Sequence, residues 1–146
     1  MDMYDIYGEE EKRKIEKAIE HAELNTSGEI RVHIDNKCKE NVLDRAVFLF
    51  KKLEMNQTEM RNGVLVYLAV KDRKLAIIGD EGINAAVPKD FWIDVKNQMQ
   101  QDFSNQYFAK GLETAIATIG KKLKDYFPYQ SDDINELPNQ ISFGKS

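Results

Sequence analysis

Arg61-Asn62-Gly63-Val64-Leu65-Val66-Tyr67-Leu68-Ala69-Val70-Lys71-Asp72-Arg73-Lys74-Leu75-Ala76-Ile77-Ile78-Gly79-Asp80 is the stretch on which the fold turns. Val64 to Val70 is an unbroken apolar run bounded by turn residues, the pattern of a central strand covered on both faces. Lys71-Asp72-Arg73-Lys74 is a short polar turn and Leu75 to Gly79 a second apolar run, so the two strands form a hairpin. Upstream, Glu29 to Asp35 alternates, with Ile30, Val32 and Ile34 on one face and Glu29, Arg31, His33 and Asp35 on the other. That alternation reads as a strand with one wet or polar-lined face.

Helical patterns flank these strands. Glu9 to Leu24 places Ile15, Ala18, Ile19 and Ala22 at helical spacing, and Glu9, Glu10 and Glu11 suit the positive end of a helix dipole. Asn41 can cap a second helix with a stripe of Leu43, Ala46, Val47, Phe50 and Leu53, widened by Phe48 and Leu49 into deep burial. After Asp80, Glu81 to Val87 reads as a loop, and Pro88 stands near a helix start. Phe91, Trp92, Val95, Met99 and Phe103 form the apolar side of a third helix. Phe108, Leu112, Ala115, Ile116, Ile119 and Leu123 do so for a fourth, stopped before Pro128.

A strand-helix-strand unit crosses over right-handedly, which makes the first two strands parallel, and the hairpin adds an antiparallel third. The expected fold class is α/β, a small mixed β-sheet with α-helices on both faces. One domain spans 1–128, and a polar C-terminal tail, 129–146, lies over the surface or is disordered.

The chain has 146 residues, 42% hydrophobic and 32% charged, with a formal net charge of −4. That is the size and composition of one ordinary globular domain. The acidic balance and scattered basic residues argue against nucleic acid as a partner. No apolar stretch approaches the roughly 20 residues needed to cross a bilayer, so direct membrane insertion is not expected. Met1 to Glu11 lacks the features of a signal peptide. These readings place the protein in the cytoplasm, as a monomer. The single Cys38 cannot form an internal disulfide, and His21 and His33 are its only potential base partners, so it reads as structural. His33, on a strand face beside Arg31, reads as a partly exposed structural histidine.

Several of these segments resemble the TPM domain family. Thr26-Ser27-Gly28-Glu29-Ile30 is similar to its Gly-Glu-aliphatic first strand, and Arg61-Asn62-Gly63-Val64-Leu65 to its Asn-Gly-Val-Leu opening of the central strand. Asp72-Arg73-Lys74 resembles its basic hairpin turn, and Ile78-Gly79-Asp80-Glu81-Gly82-Ile83 its glycine loop. Phe103, Phe108 and Gly111 fit its late helices. The resemblance spans about Ile15 to Leu123 and implies a TPM-like α/β/α fold. It also implies calcium as a cofactor, with magnesium second, and low acid phosphatase activity as known for plant members. Many bacterial members are membrane-anchored, so a membrane-anchored homologue is a candidate partner for this short, unanchored form.

The expected topology gathers Ser27, Glu29, Asn62, Asp80 and Glu81 at one sheet edge, with Asp90 following at a helix start. Oxygens converging on glycine-rich backbone suit a hard cation, so Glu29, Asn62, Asp80, Glu81 and Asp90 form the first candidate metal set. A cation there would acidify a bound water, with Asp80 or Asp90 as the candidate catalytic base. Each residue also has a plain structural reading: Glu29 solvated, Asp80 a turn residue, Asp90 a favourable helix-dipole charge. Asp35, Asp44 and Asp72 form a second candidate set at the opposite edge, and Asp132, Asp133 and Glu136 a weak acidic cluster in the tail. Two functions follow: a divalent-cation-binding domain acting in protein interaction or as an accessory factor, and alternatively a weak metal-dependent acid phosphatase hydrolysing phosphomonoesters.

Val66→Asp tests the central strand. A buried, unpaired carboxylate costs several kcal/mol, comparable with the roughly 5–15 kcal/mol that holds such a domain together. The variant is expected to lose its cooperative thermal transition by circular dichroism; a melt near the wild-type temperature would remove this strand from the core.

Overall fold

A computed structural model describes residues 2–130 and 136–144. The long apolar run becomes β2 (Gly63–Ala69), all seven residues buried, and the next becomes β3 (Lys74–Gly79). The alternating stretch is β1 (Glu29–Asp35). β1 and β2 run parallel in the register Glu29↔Gly63 to Asp35↔Ala69, and β3 returns antiparallel, with Val64 opposite Gly79. A two-residue strand, β4 (Ser142–Phe143), lies parallel to the outer edge of β1, giving the order β3-β2-β1-β4.

The two sheet faces bury different sets of side chains, as the period of two requires. Ile30, Val32, Ile34, Val64, Val66 and Leu68 face the larger core, which is completed by α1 (Met3–Ile6), α2 (Glu9–Glu23), α5 (Asp90–Ser104) and α6 (Phe108–Tyr126). Leu65, Tyr67, Ala69 and Ala76 face a smaller core closed by α3 (Val42–Lys52) and Met55. Asn41 caps α3 as expected, its side chain accepting from the Leu43 and Asp44 amides.

Four expectations change. Glu81 to Val87 is mostly a helix, α4 (Glu81–Ala86), because the Asp80 side chain accepts its first amide. A loop reading from the glycine overlooked that cap. The helix α3 covers its sheet face alone, so only Ala46, Leu49 and Phe50 are buried; Leu43, Val47 and Phe48 stand 54%, 43% and 53% exposed. The polar face of β1 is not wet: Glu29, His33 and Asp35 are buried, and His33 is buried rather than partly exposed. Nor is the described tail a loose cover, since Leu137 and Ile141 enter the two cores and Ser142–Phe143 joins the sheet. Asp132 and Asp133 lie outside the described residues, whereas Glu136 is exposed and accepts from the Glu59 amide. No described helix is long and apolar enough to cross a membrane.

Helices α2 and α6 pack together so closely that a Cβ built on Gly120 falls 2.7 Å from Ala22 Cβ and 3.2 Å from its Cα. Gly120→Val is therefore expected to destabilise. Overpacking costs about 1–3 kcal/mol, against less than ~1 kcal/mol regained from helix propensity. Calorimetry should show a drop in Tm of several degrees; an unchanged or raised Tm would mean that the helices separate freely at this crossing.

Candidate functional site

Two polar clusters occupy opposite ends of the parallel pair. At the end where β1 and β2 begin, Arg61 adopts a left-handed backbone with φ 52° just before β2. Its guanidinium forks onto Asp80, with Nε 2.7 Å from Oδ2 and the second terminal nitrogen 2.8 Å from Oδ1, while the other terminal nitrogen reaches Glu81 Oε1 at 3.2 Å. Such bidentate pairs are the strong, geometrically specific kind. The Gly82 amide donates to the Arg61 carbonyl, which ties α4 to the start of β2. Asn62 is buried beside this pair, and its Nδ2 lies 3.4 Å from Ser27 Oγ.

The first predicted set is thus split three ways. Asp80 and Glu81 come together, but around a cation the chain supplies itself. Glu29 is turned away: its Oε1 accepts the Leu137 amide at 2.6 Å, and its Oε2 has no partner among the described residues. Asp90 opens α5 as an exposed first-turn acid. Among the described residues no group of three or more His, Cys, Asp or Glu is arranged to hold a metal. A divalent ion fits Asp80 and Glu81 only where Arg61 has moved off them.

At the other end, Asp35 is the hub. His33 Nε2 lies 3.0 Å from its Oδ1, and Tyr67 OH and Arg45 Nε donate to its Oδ2 at 2.6 and 3.1 Å. Burial alone pushes the Asp35 carboxyl up, but the hydrogen bonds from His33, Tyr67 and Arg45 hold it well below the usual carboxylate range. Burial, then Asp35 as a neighbour, push the Tyr67 phenol far up, so it stays a donor. Asp44 and Asp72 do not join this hub. Asp44 is exposed in the first turn of α3, and Asp72 accepts the Cys38 amide at 2.7 Å, closing the β1–α3 connection onto the hairpin.

Sequence reasoning missed Arg61, Tyr67, Arg45 and Ser142. The Ser142 hydroxyl stands 2.8 Å from His33 Nδ1, completing a hydroxyl–imidazole–carboxylate line. The same hydroxyl donates to the Val32 carbonyl at 3.4 Å. Two open grooves run along α5 and α6, beside Phe91, Gln98, Lys121 and Lys110. The line ties the C-terminal strand to β1. The 109 residues separating His33 from Ser142 left no local signal of it.

Comparison with known proteins places these features in context. A family model described as the TPM domain matches residues 1–122. The BA42 protein of the psychrophilic bacterium Bizionia argentinensis, solved by NMR, is similar at 47% identity and a TM-score of 0.87, covering 92% of this chain and 93% of that one. The N-terminal domain of the cg2496 protein of Corynebacterium glutamicum shares the fold at 13% identity and a TM-score of 0.65, covering 88% of this chain and 80% of that one. No curated protein matches.

Glu29 carries a pH prediction. Burial, and then the Glu136 charge, push its carboxyl from 4.5 up to about 7, against the opposing Leu137 hydrogen bond; burial likewise pushes Glu23 up to about 8. A carboxyl raised in the folded state contributes stability that is complete below its unfolded value and is lost as pH rises through the folded one. Stability to urea is thus expected to fall between about pH 4.5 and 8, and Glu29→Gln to flatten the part of that slope below about pH 7. Equal slopes for wild type and variant would show that Glu29 is ionised throughout.

Proposed function

The chain belongs to the TPM domain family, and from that premise we propose that it acts as a protein-interaction or accessory domain with a divalent-cation site at Asp80 and Glu81. The observation that carries the interaction reading is the outer face of α3. Leu43, Val47 and Phe48 are exposed together on one short helix, and Arg45 and Lys52 approach the Phe48 ring at 5.6 and 5.9 Å. Large apolar side chains grouped on a surface and rimmed by charge are what a protein partner buries. A membrane-anchored homologue is one such partner. The buried carboxylates support the same reading over catalysis, because each is held by an internal donor rather than left facing a substrate.

Three carboxylate oxygens converge on the Arg61 guanidinium, so its charge stands where a cation's would. Calcium, which accepts mixed oxygen ligands in flexible geometry, suits that place better than magnesium. When bound, the ion would supply positive charge in place of the guanidinium. Asp80 and Glu81 would hold it, and Arg61 would be freed toward solvent or a partner. Asn62, buried beside the pair and 3.4 Å from Ser27 Oγ, is a neutral oxygen-bearing side chain at the same end of the strands.

Titration of the isotope-labelled protein with calcium and with magnesium tests the cation site. Saturable amide shifts are expected at Arg61, Asp80, Glu81 and Gly82, at lower ion concentration in Arg61→Gln and abolished in Asp80→Asn. Their absence at millimolar ion in both wild type and Arg61→Gln would overturn it. For the interaction, Leu43→Ser/Phe48→Ser is expected to keep the wild-type circular dichroism and lose the binding of a homologous anchored domain. Equal binding by the double variant would exclude α3 as the surface. Hydrolysis of a phosphomonoester that disappears with Asp80→Asn would favour a phosphatase instead.

A further inference from the structure

The outer edge of β1 is only partly a sheet interface. Of its seven residues, β4 pairs with two, His33 and Ile34. Toward its start, the Ile30 amide is taken by the Glu23 carboxylate at 2.8 Å, a side chain standing where a neighbouring strand's carbonyl would be. The segment that fills the edge lies beyond residue 122, where the family match ends.

That segment is nevertheless read residue by residue. The Leu137 amide donates to Glu29. Ile141 is buried in the larger core, and its amide donates to Glu16 Oε2 at 3.0 Å. The Ser142 hydroxyl meets His33 Nδ1. Phe143 packs on Tyr4, ring centres 5.3 Å apart, under Lys12 Nζ. The Gly144 amide donates to the Ile34 carbonyl at 2.8 Å, and a Cβ at this position would run into the Asp35 carboxylate. Among the described residues, two polar atoms on the same face of β1 lack a well-aligned partner: Oε2 of Glu29, a residue 2% exposed whose carboxyl the Glu136 amide also favours in its charged form, and Nε of Arg31, between Glu29 and His33 along the strand. Buried polar atoms are nearly always paired, so residues 136–144 are by themselves an incomplete ligand for this edge.

We propose that the outer edge of β1 is a strand-binding groove for a partner protein. Residues 136–144 fill it here, and it accepts in their place an extended segment with the order aliphatic, hydroxyl, aromatic, glycine. Main-chain pairing supplies affinity in such strand addition, and the side-chain positions supply specificity. The tethered segment competes at an effective concentration on the order of millimolar, so a partner gains the groove by answering Arg31 and Glu29 as well, or by acting when the tether is open. This groove shares the interaction reading with α3 but none of its residues, so either surface can fail alone.

The full chain carrying Gly144→Val, which expels its own strand by collision with Asp35, is titrated with a labelled peptide of residues 136–144. Saturable binding is expected, at least tenfold tighter in appearance than to the wild-type chain, with amide shifts at His33 and Ile34. Ser142→Ala in the peptide should weaken binding severalfold, and Gly144→Val in the peptide should abolish it. A folded Gly144→Val chain that ignores the peptide at millimolar concentration overturns the proposal. Hydrogen exchange on the wild-type chain is the second measurement. The Gly144 amide is expected to exchange at least a hundredfold faster than that of Val66, through local opening. Exchange of the two at one rate would make the strand an inseparable part of the fold and would equally overturn the groove, whatever the outcome for α3.

Discussion

The polar face of β1 must be answered from inside the protein, and much of the architecture follows from that constraint. Glu29, Arg31, His33 and Asp35 alternate with core residues on a strand that is covered on both faces. An ionised side chain taken out of water without a partner costs more than a small domain can offset. Asp35 meets the requirement by drawing one donor from each neighbour: His33 from its own strand, Tyr67 from β2 and Arg45 from α3. The Arg45 contact fixes where α3 lies across the sheet. The Ser142 contact of His33 and the Gly144 packing against Asp35 fix where the C-terminal strand lies along it.

The same logic governs the other end. Asp80 is buried at the close of β3, and the chain answers it with Arg61 from the turn before β2, held there in a left-handed conformation. That single pair converts what composition suggests is a cation cradle into an internal ion pair. At the proposed cation site, a divalent ion would have to compete with that arginine.

Much of the fold was legible because its signals are local and periodic. The unbroken run Val64 to Val70, the alternation from Ile30 to Ile34 and the stripes of α2, α5 and α6 each follow from burial acting on neighbouring residues. The two errors of burial have one cause: periodicity says which face of an element is apolar, not what covers it. Leu43, Val47 and Phe48 continue the apolar character of α3 past the width that one sheet face can bury. Glu29, His33 and Asp35 look like a wetted face only until the tail and α3 are laid over them. The candidate site was legible as a set of acids at the right ends of the strands, and no further. Which acids meet depends on donors such as Arg61, Tyr67 and Ser142, and nothing in their sequence surroundings marks them.

From the sequence alone come the α/β class, the parallel pair with its antiparallel hairpin, the Asn41 cap and the family, because each rests on short-range patterns or on motifs in order along the chain. Tertiary structure decided the pairing of Asp80 with Arg61, the turning of Glu29 toward Leu137, the burial of His33 and the capture of Ser142–Phe143 as a fourth strand. Those outcomes turn on the cost of leaving a buried charge or backbone group unpaired. That cost is settled only once residues a hundred positions apart have been brought within hydrogen-bond reach.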